Sequence, residues 1–125
     1  MKKSFSFQAR FKSFTFAFNG LKILFHEEHN SRIHLLAMVL VSVAGYCFRI
    51  SSLEWIVITL SVGLVFVTEI MNTAIETLCN YVSPGKNELI EKTKDLGAAA
   101  VLVAAISSIV VAGFIFIPKF FFLIG

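Results

Sequence analysis

The chain has 125 residues, of which 57% are hydrophobic and 15% charged, with a net charge of +3. A single domain of this size cannot bury so much apolar side chain in water, so the excess must face lipid or other subunits. The basic residues flank the apolar runs and form no patch for nucleic acid, and Cys47 and Cys79, in apolar context at opposite membrane faces, read as small packing hydrophobes rather than a disulfide.

Residues 4–26 predict an amphipathic surface helix. Phe7, Phe11, Phe14, Phe18 and Leu21 recur at spacings of three and four, while Arg10, Lys12 and Lys22 lie elsewhere. Aromatic bulk on one side and cations on the other suit the headgroup boundary, and the same pattern suits packing on a helix bundle. Gln8, Arg10, Lys12 and Asn19 interrupt any signal-peptide core. Gly20 breaks the pattern and offers a bend or a close backbone approach.

His26 to His34 form a polar lead-in to the first apolar run. His26-Glu27-Glu28-His29 is one residue short of the His-Glu-x-x-His zinc spacing, so zinc is not expected. Two readings stay open: a cap at the membrane interface, or Glu28 as an oxygen ligand for a hard cation such as Mg²⁺. Three membrane spans are expected, over residues 33–49, 53–82 and 94–117. Arg49 to Ser52 make an outward turn, and Pro84-Gly85 ends the second span. Residues 83–93 read as a polar, lysine-bearing loop, or a loop entering the next helix. The run Gly97-Ala98-Ala99-Ala100 lets the third helix pack closely, and Pro118 and Lys119 anchor its aromatic tail. Lys2, Lys3, Arg10, Lys12 and Lys22 share one membrane side with Lys86, Lys92 and Lys94, against only Arg49 and Lys119 on the other. The positive-inside rule then places the N-terminus in the cytoplasm and the C-terminus outside.

The second span carries Glu69-Ile70-Met71-Asn72-Thr73-Ala74-Ile75-Glu76. At about 100° per residue, seven residues return to nearly the same face, so Glu69, Asn72 and Glu76 form a stripe with the two carboxylates about 10 Å apart along the axis. A carboxylate deep in a membrane helix costs roughly 2.5–3.5 kcal/mol, which marks such a stripe as functional. Glu28, Glu69, Asn72, Glu76, Lys94 and Asp95 all map to the cytoplasmic third of a three-helix bundle. Oxygen ligands beside a lysine suit magnesium-dependent phosphoryl transfer, although no Gly-x-x-x-x-Gly-Lys-Ser/Thr loop and no protein-kinase signature is present. From the residues alone, a non-enzymatic membrane oligomer using the stripe for helix pairing or cation passage stays open beside it.

The eight-residue stretch resembles the Glu-[Ile/Leu]-[Leu/Met]-Asn-[Ser/Thr]-Ala-Ile-Glu signature of the prokaryotic diacylglycerol kinase family, which includes undecaprenol kinases. The order of parts is similar over nearly the whole chain: amphipathic N-terminus, Asn19-Gly20-Leu21, Glu28, three spans, and Lys94-Asp95 before a small-residue third span. The resemblance implies an all-α, single-domain, multi-pass kinase over residues 1–125, a trimeric helical bundle in the bacterial inner (plasma) membrane. Such a homotrimer would move the γ-phosphate of MgATP to a lipid hydroxyl. It implies Glu69 as the general base, Asn72 as the group orienting base or acceptor, and Ala98 beside them on the lipid. Glu28 and Glu76 would hold the metal and face the nucleotide. Arg10, Phe16, Gly85, Lys86, Asn87, Lys94 and Asp95 would complete the nucleotide contacts. Two positions depart from the family: Asn80, where aspartate is common, and Phe16, where some members carry an aromatic with a hydroxyl. Glu28-His29-Asn30-Ser31-Arg32-Ile33-His34 is similar to the undecaprenol kinase branch, which favours a polyprenol acceptor over diacylglycerol.

Overall fold

A computed structural model describes residues 4–125, and all of its regular elements are helices; Lys2 and Lys3 lie outside the described residues. The elements are α1 (Phe7–Glu27), α2 (His29–Cys47), α3 (Ser52–Val82) and α4 (Glu88–Ile124). The last three are long and apolar enough to cross a membrane. At about 1.5 Å per residue, the 19 residues of α2 match a bilayer core of about 30 Å, while the 31 of α3 and 37 of α4 overrun it. α3 and α4 pack along one another, and α2 leans on α3.

α1 is exposed along most of its length and continues through Gly20 without a break. A Cβ built at Gly20 meets nothing within 4 Å, so no other part of the chain approaches there. Only its C-terminal end is docked: Leu24 is buried, and the Phe25 ring meets Phe66 of α3 edge-on at 5.8 Å. The corner into α2 is made by Glu28, which stands in extended backbone. A helix end leaves carbonyls without partners. Arg32 supplies them, donating from Nε to the Phe25 carbonyl at 2.8 Å and from Nη2 to that of His26 at 2.7 Å.

The turn between α2 and α3 is a Schellman motif. Ile50 N–H donates to the Gly45 carbonyl and Arg49 N–H to that of Tyr46, with Arg49 in the left-handed region at φ 52°. α3 then opens with a capping box: Glu54 N–H donates to Ser51 Oγ at 3.1 Å, and Ser51 N–H to Glu54 Oε1 at 3.0 Å. The same Glu54 oxygen lies 3.1 Å from Lys119 Nζ, tying the start of α3 to the last turns of α4. Ile50, Ile58 and Ile115 form the apolar cluster at this end, flanked by Trp55 and by an edge-on contact of Phe48 with Phe116.

α4 corrects one sequence expectation. It starts at Glu88, so residues 88–93 are helix rather than loop, because Asn87 caps it and Glu88 and Glu91 complement the dipole of its first turn. Its helix continues through Pro118, which withholds one backbone N–H, to Ile124, beyond the span expected over residues 94–117. Cys47 and Cys79 are both free thiols.

Gly45 has no room for a side chain. A Cβ there would lie 2.7 Å from Trp55 Cη2 and 3.0 Å from Ile50 Cδ1. Gly45→Val is expected to lower the thermal midpoint of the detergent-solubilised protein, a loss of about 1–3 kcal/mol, read by helical circular dichroism on heating.

Candidate functional site

The stripe on α3 faces into the bundle. Glu69 is only 2% exposed, and Asn72, Thr73 and Glu76 are half-buried. Opposite Glu69 stands His34 of α2, with Nε2 3.1 Å from Glu69 Oε1. The pair is close but not aligned as a hydrogen bond, so Oε1 is enclosed without a hydrogen-bonded partner. Ser31 Oγ, Asn72 Oδ1 and Thr73 Oγ1 are likewise buried and unpartnered. An unpaired buried polar atom costs about 1–3 kcal/mol, and the four occur around one stripe of α3 and the first turn of α2.

The His34–Glu69 contact fixes the register of the two helices, and the register brings the other carboxylates together. α2 and α3 run in opposite directions. Glu28 lies six residues before His34, and Glu76 lies seven after Glu69, so each is displaced by roughly 9–10 Å toward the same end of the bundle. Glu28 feels the result. Burial pushes its carboxyl above the ordinary 4.5, and the charges of Glu76, Glu69 and Glu27 push the same way against His29. Two carboxylates brought to the same end of the bundle, Glu28 and Glu76, are a fitting donor set for a hard divalent cation. Among the described residues, no three His, Cys, Asp or Glu side chains form a metal site by themselves. Mg²⁺ does not require three, because it keeps several waters and uses one or two carboxylates plus substrate phosphates.

α4 contributes through close approach and one long side chain. A Cβ on Gly97 would lie 2.5 Å from Asn72 Oδ1, so the absence of a side chain there is what lets the amide sit between the helices. Lys94 is half-buried and reaches back to α3, donating from Nζ to Asn80 Oδ1 at 2.6 Å. Asp95, about 100° further round the helix, is exposed and lines a shallow depression with Glu88, Glu91 and Lys92. Lys94 and Asp95 therefore present themselves on different flanks of α4. Ala98 is exposed. Gly85 and Lys86 are exposed in the α3–α4 linker, and Asn87 Oδ1 is occupied as the cap, accepting from Leu89 N–H at 2.9 Å. Arg10 and Phe16 are exposed on α1.

Beside Glu69 an open apolar cleft of about 320 Å³ runs between α2, α3 and α4, with His34 in its wall. Its other walls are apolar in effect: the hydroxyls of Ser61 and Ser108 are spent on the carbonyls of Val57 and Ser61. The volume is in the range of small-ligand pockets, roughly 300–1,000 Å³.

Three residues of this site escaped the sequence reading as participants. His34 was weighed only as a zinc ligand or as part of a motif, although an imidazole inside the first span and a carboxylate inside the second are natural partners. Asn80 figured only as a departure, and it is the partner of Lys94. Ser31 carried no signal beyond its place beside the lead-in.

The sequence model of the prokaryotic diacylglycerol kinase family matches residues 15–116. The undecaprenol kinase of Bacillus subtilis (strain 168) is 35% identical over 109 residues, covering 87% of this chain and 89% of that protein. A diacylglycerol kinase of Synechocystis sp. is 34% identical over 107 residues, covering 85% of this chain and 61% of that one. The diacylglycerol kinase of Escherichia coli (strain K12) is 29% identical over 99 residues, covering 79% and 81%.

The raised Glu28 carboxyl has a thermodynamic sign. The folded chain holds this proton more tightly than the unfolded one, so its contribution to stability is full below the ordinary 4.5 and is lost as pH rises through the raised value. In metal-free protein, Glu28→Gln is expected to melt a few degrees above the parent at about pH 7.5. Thermal melts across pH should show that difference vanish below about pH 4.5.

Proposed function

We propose, since the chain belongs to the prokaryotic diacylglycerol kinase family and is an ATP-dependent membrane lipid kinase, that its acceptor is the terminal hydroxyl of undecaprenol. The observation that carries the reading is Glu69: a buried carboxylate against His34, which stands in the wall of an open apolar cleft. A hydroxyl on a long hydrocarbon body reaches such a group without leaving the bilayer. The undecaprenol branch is favoured by the Glu28-to-His34 pattern and by the likeness to the Bacillus subtilis enzyme. Diacylglycerol is the second reading, favoured by the names of the Synechocystis and Escherichia coli relatives.

Glu69 takes the proton of the acceptor hydroxyl as its oxygen bonds to the γ-phosphorus of ATP, and ADP leaves with the electrons of the broken P–O bond. Asn72, held against α4 at Gly97, orients the acceptor or the base, with Ala98 beside the lipid. Glu28 and Glu76 hold Mg²⁺, which when bound neutralises charge on the phosphates. Lys94, steadied by Asn80, meets the phosphates as a point charge. Arg10, Phe16, Gly85, Lys86, Asn87 and Asp95 complete the nucleotide contacts. In this reading the site end faces the cytoplasm of the bacterial plasma membrane, where ATP is, and the C-terminus faces outward. A homotrimer covers the exposed flank that carries Asp95 and Ala98.

The test is ATP-dependent phosphorylation in mixed micelles, with undecaprenol and diacylglycerol in competition. Label on undecaprenol that requires Mg²⁺ and is lost in folded Glu69→Gln supports the reading; preferential label on diacylglycerol overturns the acceptor. Gly97→Ala is expected to stay folded yet lose at least about tenfold in turnover, because its methyl group displaces Asn72.

A further inference from the structure

We infer that His34 is a positioning residue that orients the Glu69 carboxylate for proton transfer, an inference that rests on the reading of Glu69 as the base. Glu69 is sealed on α3, and the His34 imidazole is set against it from α2. Its Nε2 faces Oε1, the oxygen closed to solvent. With Oε1 turned to the imidazole, the second oxygen is the one presented to an acceptor. A carboxylate free to rotate would spend much of its time with neither oxygen on the line of the hydroxyl, and a misplacement of about 1 Å can cost a hundredfold in rate.

The ring also has a second face. The His34 side chain is 24% exposed and forms part of the wall of the apolar cleft. An acceptor whose hydrocarbon lies in that cleft brings its hydroxyl to the side where His34 stands against Glu69. The contact at 3.1 Å without hydrogen-bond alignment fits a pair that tightens once an acceptor arrives there.

The test uses the full-length protein in mixed micelles with the acceptor it labels. His34→Ala is expected to lower kcat by about 30- to 100-fold, with KM for ATP and for the lipid moving less than about threefold. His34→Gln, which keeps an N–H donor at similar reach, is expected to recover most of that loss. In a Glu69→Gln background, His34→Ala should cost nothing further, as residues acting as a unit are not additive. A rise in lipid KM at unchanged kcat would make the ring a cleft wall only and overturn the inference, as would Gln performing no better than Ala, or fully additive losses. Where His34→Ala does not assemble, the comparison of His34→Met with His34→Gln carries the same decision. Full turnover by Glu69→Gln would instead remove the base assignment itself, whatever the His34 variants do.

Discussion

An acidic side chain sealed within a helix pair is costly unless polar groups stand near it, and the 3.1 Å approach of His34 to Glu69 is the contact around which the site is arranged. Much of the site follows from it. Because α2 and α3 are antiparallel, pinning one residue pair pins the whole register, and Glu28 arrives beside Glu76 without any direct bond between them. The strain reappears as a raised Glu28 carboxyl, an imbalance of the kind that a divalent cation relieves. A slip of one residue between the helices would carry the carboxylates round to different faces.

The two ends of the bundle are built on different chemistry. One is closed by hydrocarbon and by ordinary helix termini: Ile50, Ile58 and Ile115, the Schellman turn at Arg49, the capping box at Ser51, and the Lys119–Glu54 pair. The other leaves polar atoms of Ser31, Glu69, Asn72 and Thr73 enclosed and without partners. Stability collected at the first end tolerates deficits at the second. The small-residue run of α4 serves the second end, since Gly97 is what admits Asn72 between the helices.

The sequence was most informative where chemistry is local. The carboxylate stripe, the limits of α3 and the small-residue start of the third span all follow from periodicity and breakers, and the eight-residue signature named the family that the comparisons then supported. Contacts across elements were not legible. His34 finds Glu69, Lys94 finds Asn80 and Arg32 finds the end of α1 only once three helices are set against one another. The polar stretch from 88 to 93 misled because its lysines and acids look like loop, whereas Asn87 and two early glutamates make it the capped first turns of a helix. Gly20 misled in the opposite direction: a residue that permits a bend does not impose one.

The bonds from Arg32 to the end of α1 act as a waterline. A guanidinium that satisfies the last carbonyls of a surface helix belongs at headgroup level, and α2 descends from that mark. His34 is two residues on, only about 3 Å lower along the axis. The Glu69 carboxylate, set against His34, thus lies within about one helical turn of the Arg32 bonds along the bundle axis. A site at a fixed distance from that corner would sort acceptors by where the hydroxyl sits rather than by the length of the hydrocarbon below it. One architecture can then serve relatives named for a polyprenol and for a diacylglycerol, with discrimination left to the walls of the cleft below.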